Sequence, residues 1–194
     1  MQDFIFYIKL GLNHVLDFAA YDHILFLTAL ALPFSFKNWK KVLLLATIFT
    51  IAHCFSLYAS VYGIVVMDVG LIEFLIPVTI LVTALFNLNY ISAKMADKSV
   101  LLHMVATAFF GLIHGFGFSN YFKMLVAEED NKLAPLLGFA AGIEMAQVCI
   151  VSAVLAVSYL FLSILRIKPA LFVLVSSILI ILVTIQMLIA TFPW

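Results

Sequence analysis

The apolar residues of this chain come in runs of about twenty, the length a helix needs to cross a hydrocarbon core of roughly 30 Å. Short charged turns separate the runs. Of the 194 residues 66% are hydrophobic and only 10% charged, too few charges to clothe the surface of a soluble domain. The runs are nearly continuous rather than alternating, which predicts helices and not the strands of a membrane barrel. The expected fold is all-α, a polytopic membrane helical bundle forming a single transmembrane domain over residues 1–194. Six transmembrane helices are expected near Leu12–Leu32, Lys41–Val61, Val66–Leu88, Ser99–Phe118, Leu133–Leu160 and Pro169–Phe192. Gln2–Gly11 reads as an interfacial extension of the first span, and Pro77 as the site of a kink in the third. Met1 to Ile8 carries Asp3 and no basic n-region, so the first apolar segment is expected to be a retained span.

Ten basic and ten acidic residues leave no net charge, and no basic stripe is present, which argues against a nucleic-acid partner. Cys54 and Cys149 fall in the middle of apolar runs and read as small buried hydrophobes, not as a disulfide framework. The loops on one side hold Lys37, Lys40, Lys41, Lys94, Lys98, Arg166 and Lys168, against Lys9, Lys123 and Lys132 on the other. Seven against three predicts that both termini face away from the cytoplasm, in a bacterial inner membrane.

Ionisable groups inside such spans are expensive and normally face a protein interior or a water-filled cavity. Here they are Asp17, Asp22, His23, His53, Glu73, His114 and Glu144, with His14 just inside the first span. Any one of them alone is explained by a hydrogen-bonded packing histidine or a protonated acid. Their depths argue otherwise. At about 1.5 Å per residue, His114 lies roughly 6 Å from the outer end of its span, Glu73 about 10 Å, His53 about 12 Å, and Asp22, His23 and Glu144 about 15 Å. Residues from five expected spans thus fall in one band, which predicts a polar chamber in the outer half of the bundle. Imidazole and carboxylate suit nickel, cobalt or zinc, and Gln147, one turn after Glu144, can face the same space. Asp22 and His23 are adjacent and point about 100° apart, so only one of them is expected to coordinate directly. Cys54 is rotated from His53 in the same way. A proton or hydration network, or polar packing, are the competing readings.

Lesser polar residues read more plainly. His103 lies near the other end of its span, Asp17 can pair with His14, and Thr47, Thr50 and Ser56 can bond back to their own helix. Glu128 to Asp130 reads as a solvated loop, or as a vestibule that attracts cations. Gly111 and Gly115 form a small-xxx-small face around His114, and Gly138, Ala141 and Gly142 form a second one before Glu144.

Five stretches carry a family resemblance. They are Gly11-Leu12-Asn13-His14 with Asp22-His23-Ile24-Leu25-Phe26; Thr47 to Leu57 around His53; Glu73; Phe110-Gly111-Leu112-Ile113-His114-Gly115-Phe116-Gly117-Phe118; and Phe139 to Gln147. In this order they resemble the HupE/UreJ membrane proteins associated with hydrogenase and urease maturation, over about residues 11 to 150. The resemblance implies a six-helix secondary permease for nickel or cobalt, serving metalloenzyme maturation proteins. It implicates His14, Asp22, His23, His53, Glu73, His114, Glu144 and Gln147 in the ion path. The chain departs from the family pattern at Cys54, Ser56, Ala140 and Ala146, where Ser, Thr, Asn and Gly are usual, and it is expected to be without the longer extracytoplasmic N-terminal region of many relatives.

Two other functions remain open on the residues alone. Three histidines and an acid can hold a hydrolytic zinc with one position left for water, giving a membrane-embedded hydrolase. An accessory or scaffold protein would use the same polar groups only to fix helix packing.

Overall fold

The computed structural model describes residues 2–92 and 100–193. Seven α-helices lie among them: α1 (Gln2–Leu16), α2 (Asp22–Ala31), α3 (Trp39–Val61), α4 (Val69–Ser92), α5 (Val100–Leu125), α6 (Leu133–Tyr159) and α7 (Pro169–Ala190). A 3₁₀ turn at Phe36–Asn38 leads into α3, and a π turn at Leu160–Ile164 extends α6. Local chemistry sets several of the ends. The Asp68 carboxylate accepts the Leu71 N–H at 2.8 Å in the first turn of α4, and Pro169 occupies the start of α7, where no N–H is needed.

Four described helices are long and apolar enough to cross a bilayer, over Phe36–Val61, Val69–Leu88, Leu133–Ile164 and Pro169–Ala190. The expectation of six spans is therefore corrected to four among the described residues, for two reasons. The first expected span, Leu12–Leu32, is not one helix. The chain leaves helical form after Leu16, the Asp17 carboxylate accepts the Ala19 N–H at 2.8 Å, and a new helix begins at Asp22. Such local bonding by Asp competes with helix propagation. It leaves two shorter apolar helices, Phe4–Leu16 and Asp22–Ala31. Gln2–Gly11 is continuous with Leu12–Leu16 in α1, which packs along α6. The fourth expected span falls on α5, which is not among those four. Ser99, its expected start, and Lys94 and Lys98, which contribute to the charge bias, lie outside the described residues.

The chain is an integral membrane protein. Its apolar side chains face outward as well as inward: Leu171, Leu174, Ile178, Leu182, Ile185 and Ile189 recur every three or four residues along α7 and are all exposed. The interior is built around Phe26, Phe49, Phe122 and Phe139, each fully buried.

Glycines set the closest helix pairs. A Cβ at Gly115 would overlap the His53 carbonyl and Ser56 Oγ, and one at Gly111 would stand 2.6 Å from the Phe49 carbonyl oxygen, so α5 lies hard against α3. Gly138 and Gly142 do the same for α6 against α1, and Gly11 answers from the other side against the Phe139 carbonyl. Both small-residue faces expected from the sequence are thus helix-packing surfaces, and each brings a polar residue of one helix alongside its neighbour.

Candidate metal centre

The break between α1 and α2 creates the site. His14 stands in the last turn of α1, and Asp22 and His23 open α2. α3 brings His53, and α5 brings His114. Ring centroids lie 4.7 Å apart for His14 and His23, 5.6 Å for His23 and His53, 5.7 Å for His14 and His53, and 5.2 Å for His23 and His114. Two overlapping sets have ligand atoms all within 4.8 Å of one another: His14, His23 and His53, and Asp22, His23 and His114. His23 belongs to both.

The hydrogen bonding leaves these imidazoles short of partners. His23 Nδ1 donates to Asp22 Oδ1 at 3.2 Å, so its Nε2 carries the lone pair. Thr79 Oγ1 donates to the Ile76 carbonyl at 2.7 Å and therefore accepts from His114 Nε2 at 3.0 Å, which leaves the lone pair on His114 Nδ1. Those two free nitrogens, with His14 Nε2 and both nitrogens of His53, are buried and have no hydrogen-bond partner among the described residues. An unmet buried polar atom costs about 1–3 kcal/mol, and native interiors hold few of them. Four imidazoles in two overlapping sets, each offering one lone-pair nitrogen, fit a divalent metal ion as ligand. A carboxylate or hydroxyl holding the far side of an imidazole is the usual way its tautomer and aim are fixed at a metal site.

Aromatic rings wall the group. Phe118 lies 4.1 Å from His14 at a tilt, while Phe26 and Phe49 lie 5.3 Å and 5.2 Å from His114. The amino-acid string flagged the histidines but not these aromatics, which look there like ordinary apolar filling.

A cleft of about 670 Å³ opens onto the cluster and is bounded by His14, His23 and His114 within and by Asp17, Glu73 and Gln186 toward its mouth. Asp17 and Glu73 are exposed. Asp17 does not pair with His14, since its carboxylate is engaged in the turn at Ala19. Glu128 to Asp130 do not border this cleft. In that loop Glu129 accepts a 2.9 Å hydrogen bond from the Tyr7 hydroxyl, a tether to α1. Gln186, on the last helix, and Thr191, just past its end, border the cleft as well, and no motif marks them.

Glu144 and Gln147 fall outside the two histidine sets. Glu144 accepts from Thr47 at 2.5 Å and from Thr50 at 2.8 Å, and Thr50 Oγ1 lies 3.0 Å from the Gln147 amide. They form a second polar group between α3 and α6, joined to the first through α3, where Thr50 precedes His53 by one turn. Ser56 donates to the His53 carbonyl at 2.8 Å, as expected, and His103 packs near Phe34, away from the cluster. Cys54 and Cys149 are both free thiols, and Cys149 faces outward instead of into the core.

Comparison with protein families matches residues 1–191 to the model described as HupE / UreJ protein. No curated protein and no solved structure matches the chain.

Proposed function

The chain belongs to the HupE/UreJ family, and from that premise we propose that it carries a divalent transition metal ion, nickel or cobalt, across the bilayer in the direction of uptake. The observation that carries this reading is the convergence of four imidazoles, each with a free buried nitrogen, at the end of an acidic cleft. Family membership and this buried His/Asp group are consistent with a role in metal binding or transport.

In this account Asp17 and Glu73 attract the hydrated cation to the mouth, since a charged cleft raises the local ion concentration. The ion sheds water against Asp22, His23 and His114. It then exchanges Asp22 and His114 for His14 and His53 while His23 keeps hold of it. Glu144, Gln147 and Thr50 are the next polar station along α3, reached after a conformational change. Neutral nitrogens with few carboxylates suit a carrier, which must bind strongly enough to dehydrate the ion and weakly enough to release it. A broken helix at the site provides the hinge such carriers use. Protons taken up by these groups couple release to the proton gradient.

Sealed vesicles holding the purified protein test this with nickel, cobalt and zinc, with and without a pH gradient. Flux of nickel or cobalt above protein-free vesicles is expected, and faster flux with the gradient. Equal flux in both conditions sinks proton coupling, and absence of flux for every ion sinks transport. The His14, His23 and His53 set is also the ligand set of a hydrolytic zinc. Zinc-dependent lipid hydrolysis without metal movement would replace the transport reading.

A further inference from the structure

α7 packs along α4 and meets α6 only through the π turn at Leu160–Ile164. Between α6 and α7, over the C-terminal turn of α2, this leaves a cavity of about 660 Å³. Its walls are almost wholly hydrocarbon, with Leu32 from α2, Val154 and Val157 from α6, Phe161 from the π turn, and Phe172 and Leu179 from α7. It occupies the opposite end of α7 from the metal cleft, which Gln186 and Thr191 border. Large apolar cavities do not hold water well but take up apolar ligands. A bilayer supplies hydrocarbon chains beside this one.

Ile167 lines the cavity, and its neighbours in the chain, Arg166 and Lys168, are both exposed and neither is paired with a carboxylate among the described residues. Arg166 holds a left-handed backbone, φ 55°, while the Ile167 N–H bonds back to the Phe161 carbonyl at 3.0 Å. This is the position that closes a helix and that glycine normally fills, because a side chain is strained there. The chain instead keeps Arg166 beside the cavity-lining Ile167. Lys37, Lys40 and Lys41 belong to the same end of the bundle, since the Phe36 ring lies 6.4 Å from that of Tyr159.

We propose that this cavity is a binding site for one anionic phospholipid, with an acyl chain between α6 and α7 and the phosphate held by Arg166 and Lys168. Basic pockets between membrane helices recognise acidic headgroups in this way. Guanidinium and phosphate match in both charge and geometry.

The test is native mass spectrometry of the whole chain taken from lipid discs holding equal amounts of phosphatidylglycerol and phosphatidylcholine. Wild type is expected to retain one phosphatidylglycerol in preference to phosphatidylcholine by roughly tenfold. Raising the salt in the wild-type sample should shrink that preference, a comparison that needs no variant. R166Q/K168Q should bring the two lipids to within about twofold of each other. Ala153→Phe, which fills the cavity from its α6 wall, should lose the retained lipid of either kind. Equal retention of both lipids by wild type overturns the proposal, as does a preference that survives R166Q/K168Q or lipid retention untouched by Ala153→Phe. Dissociation of a dimer by Ala153→Phe would assign the cavity to a second copy of the chain and also overturn it.

Discussion

The His14 and His23 rings meet edge to face with centroids 4.7 Å apart, although one closes a helix and the other opens the next. Nine residues of unbroken helix would separate them by about 13 Å along the axis. The turn at Asp17 to Tyr21 folds that distance away and brings the two rings together.

Asp17→Ala removes the acceptor of the Ala19 N–H and is expected to loosen this turn. The cost in stability should be about 1 kcal/mol, with a several-fold loss of metal affinity. Asp17→Asn keeps an acceptor and should hold affinity while slowing uptake at low salt, because it removes a charge at the mouth. Metal titration of the purified variants, followed by thermal unfolding, separates the two effects.

Thr79 accepts the Nε2–H of His114 and so leaves Nδ1 free for a metal ion. Thr79→Val should lower metal affinity by about 10–100-fold, the usual effect of removing such a partner. Thr79→Ser, which keeps the hydroxyl, should restore it. A purely structural role for Thr79 would change the melting temperature of the valine variant without this rescue of affinity.

Gly115 is where α5 touches the His53 carbonyl. Gly115→Ala must push α3 and α5 apart at the level of the cluster, at a cost of about 1–3 kcal/mol. Gly70→Ala meets only the Asp68 carboxylate at 3.4 Å and should melt near wild type. A melting comparison of the two variants in one detergent checks the contrast.

Metal binding to imidazole competes with protons, so affinity should fall as pH drops. The direction follows from the ligands, because each histidine must be neutral to coordinate. Titration with nickel at about pH 7.5 and at about pH 5.5 should show tighter binding at the higher value. Affinity that does not change with pH would point to carboxylates alone as the ligands.

Much of the candidate site was legible because buried charge is costly wherever it occurs. An apolar run containing His53 or His114 stands out, and helical rise alone brings both into the outer half of their runs. The glycine faces were legible for a similar reason, since Gly111 and Gly115 have no side chain to hold helices apart. The break at Asp17 was not. Hydropathy sums Leu12–Leu32 as one apolar stretch, while one carboxylate bonding to the Ala19 N–H divides it. The separation of Glu144 from the histidines was also hidden, because depth along a span says nothing about which face of the bundle a residue meets. Thr47 and Thr50 turn Glu144 to the α3–α6 seam.

The central claim is that the four imidazoles hold a divalent transition metal, with His23 common to both ligand sets. Cobalt(II) added to the purified protein reads this directly, because visible ligand-field bands report the nitrogen ligands around the ion. Wild type should bind cobalt with intense bands of low coordination number, and His23→Ala should lose them while remaining folded. A His23→Ala protein that binds cobalt with the same spectrum and affinity would contradict the account.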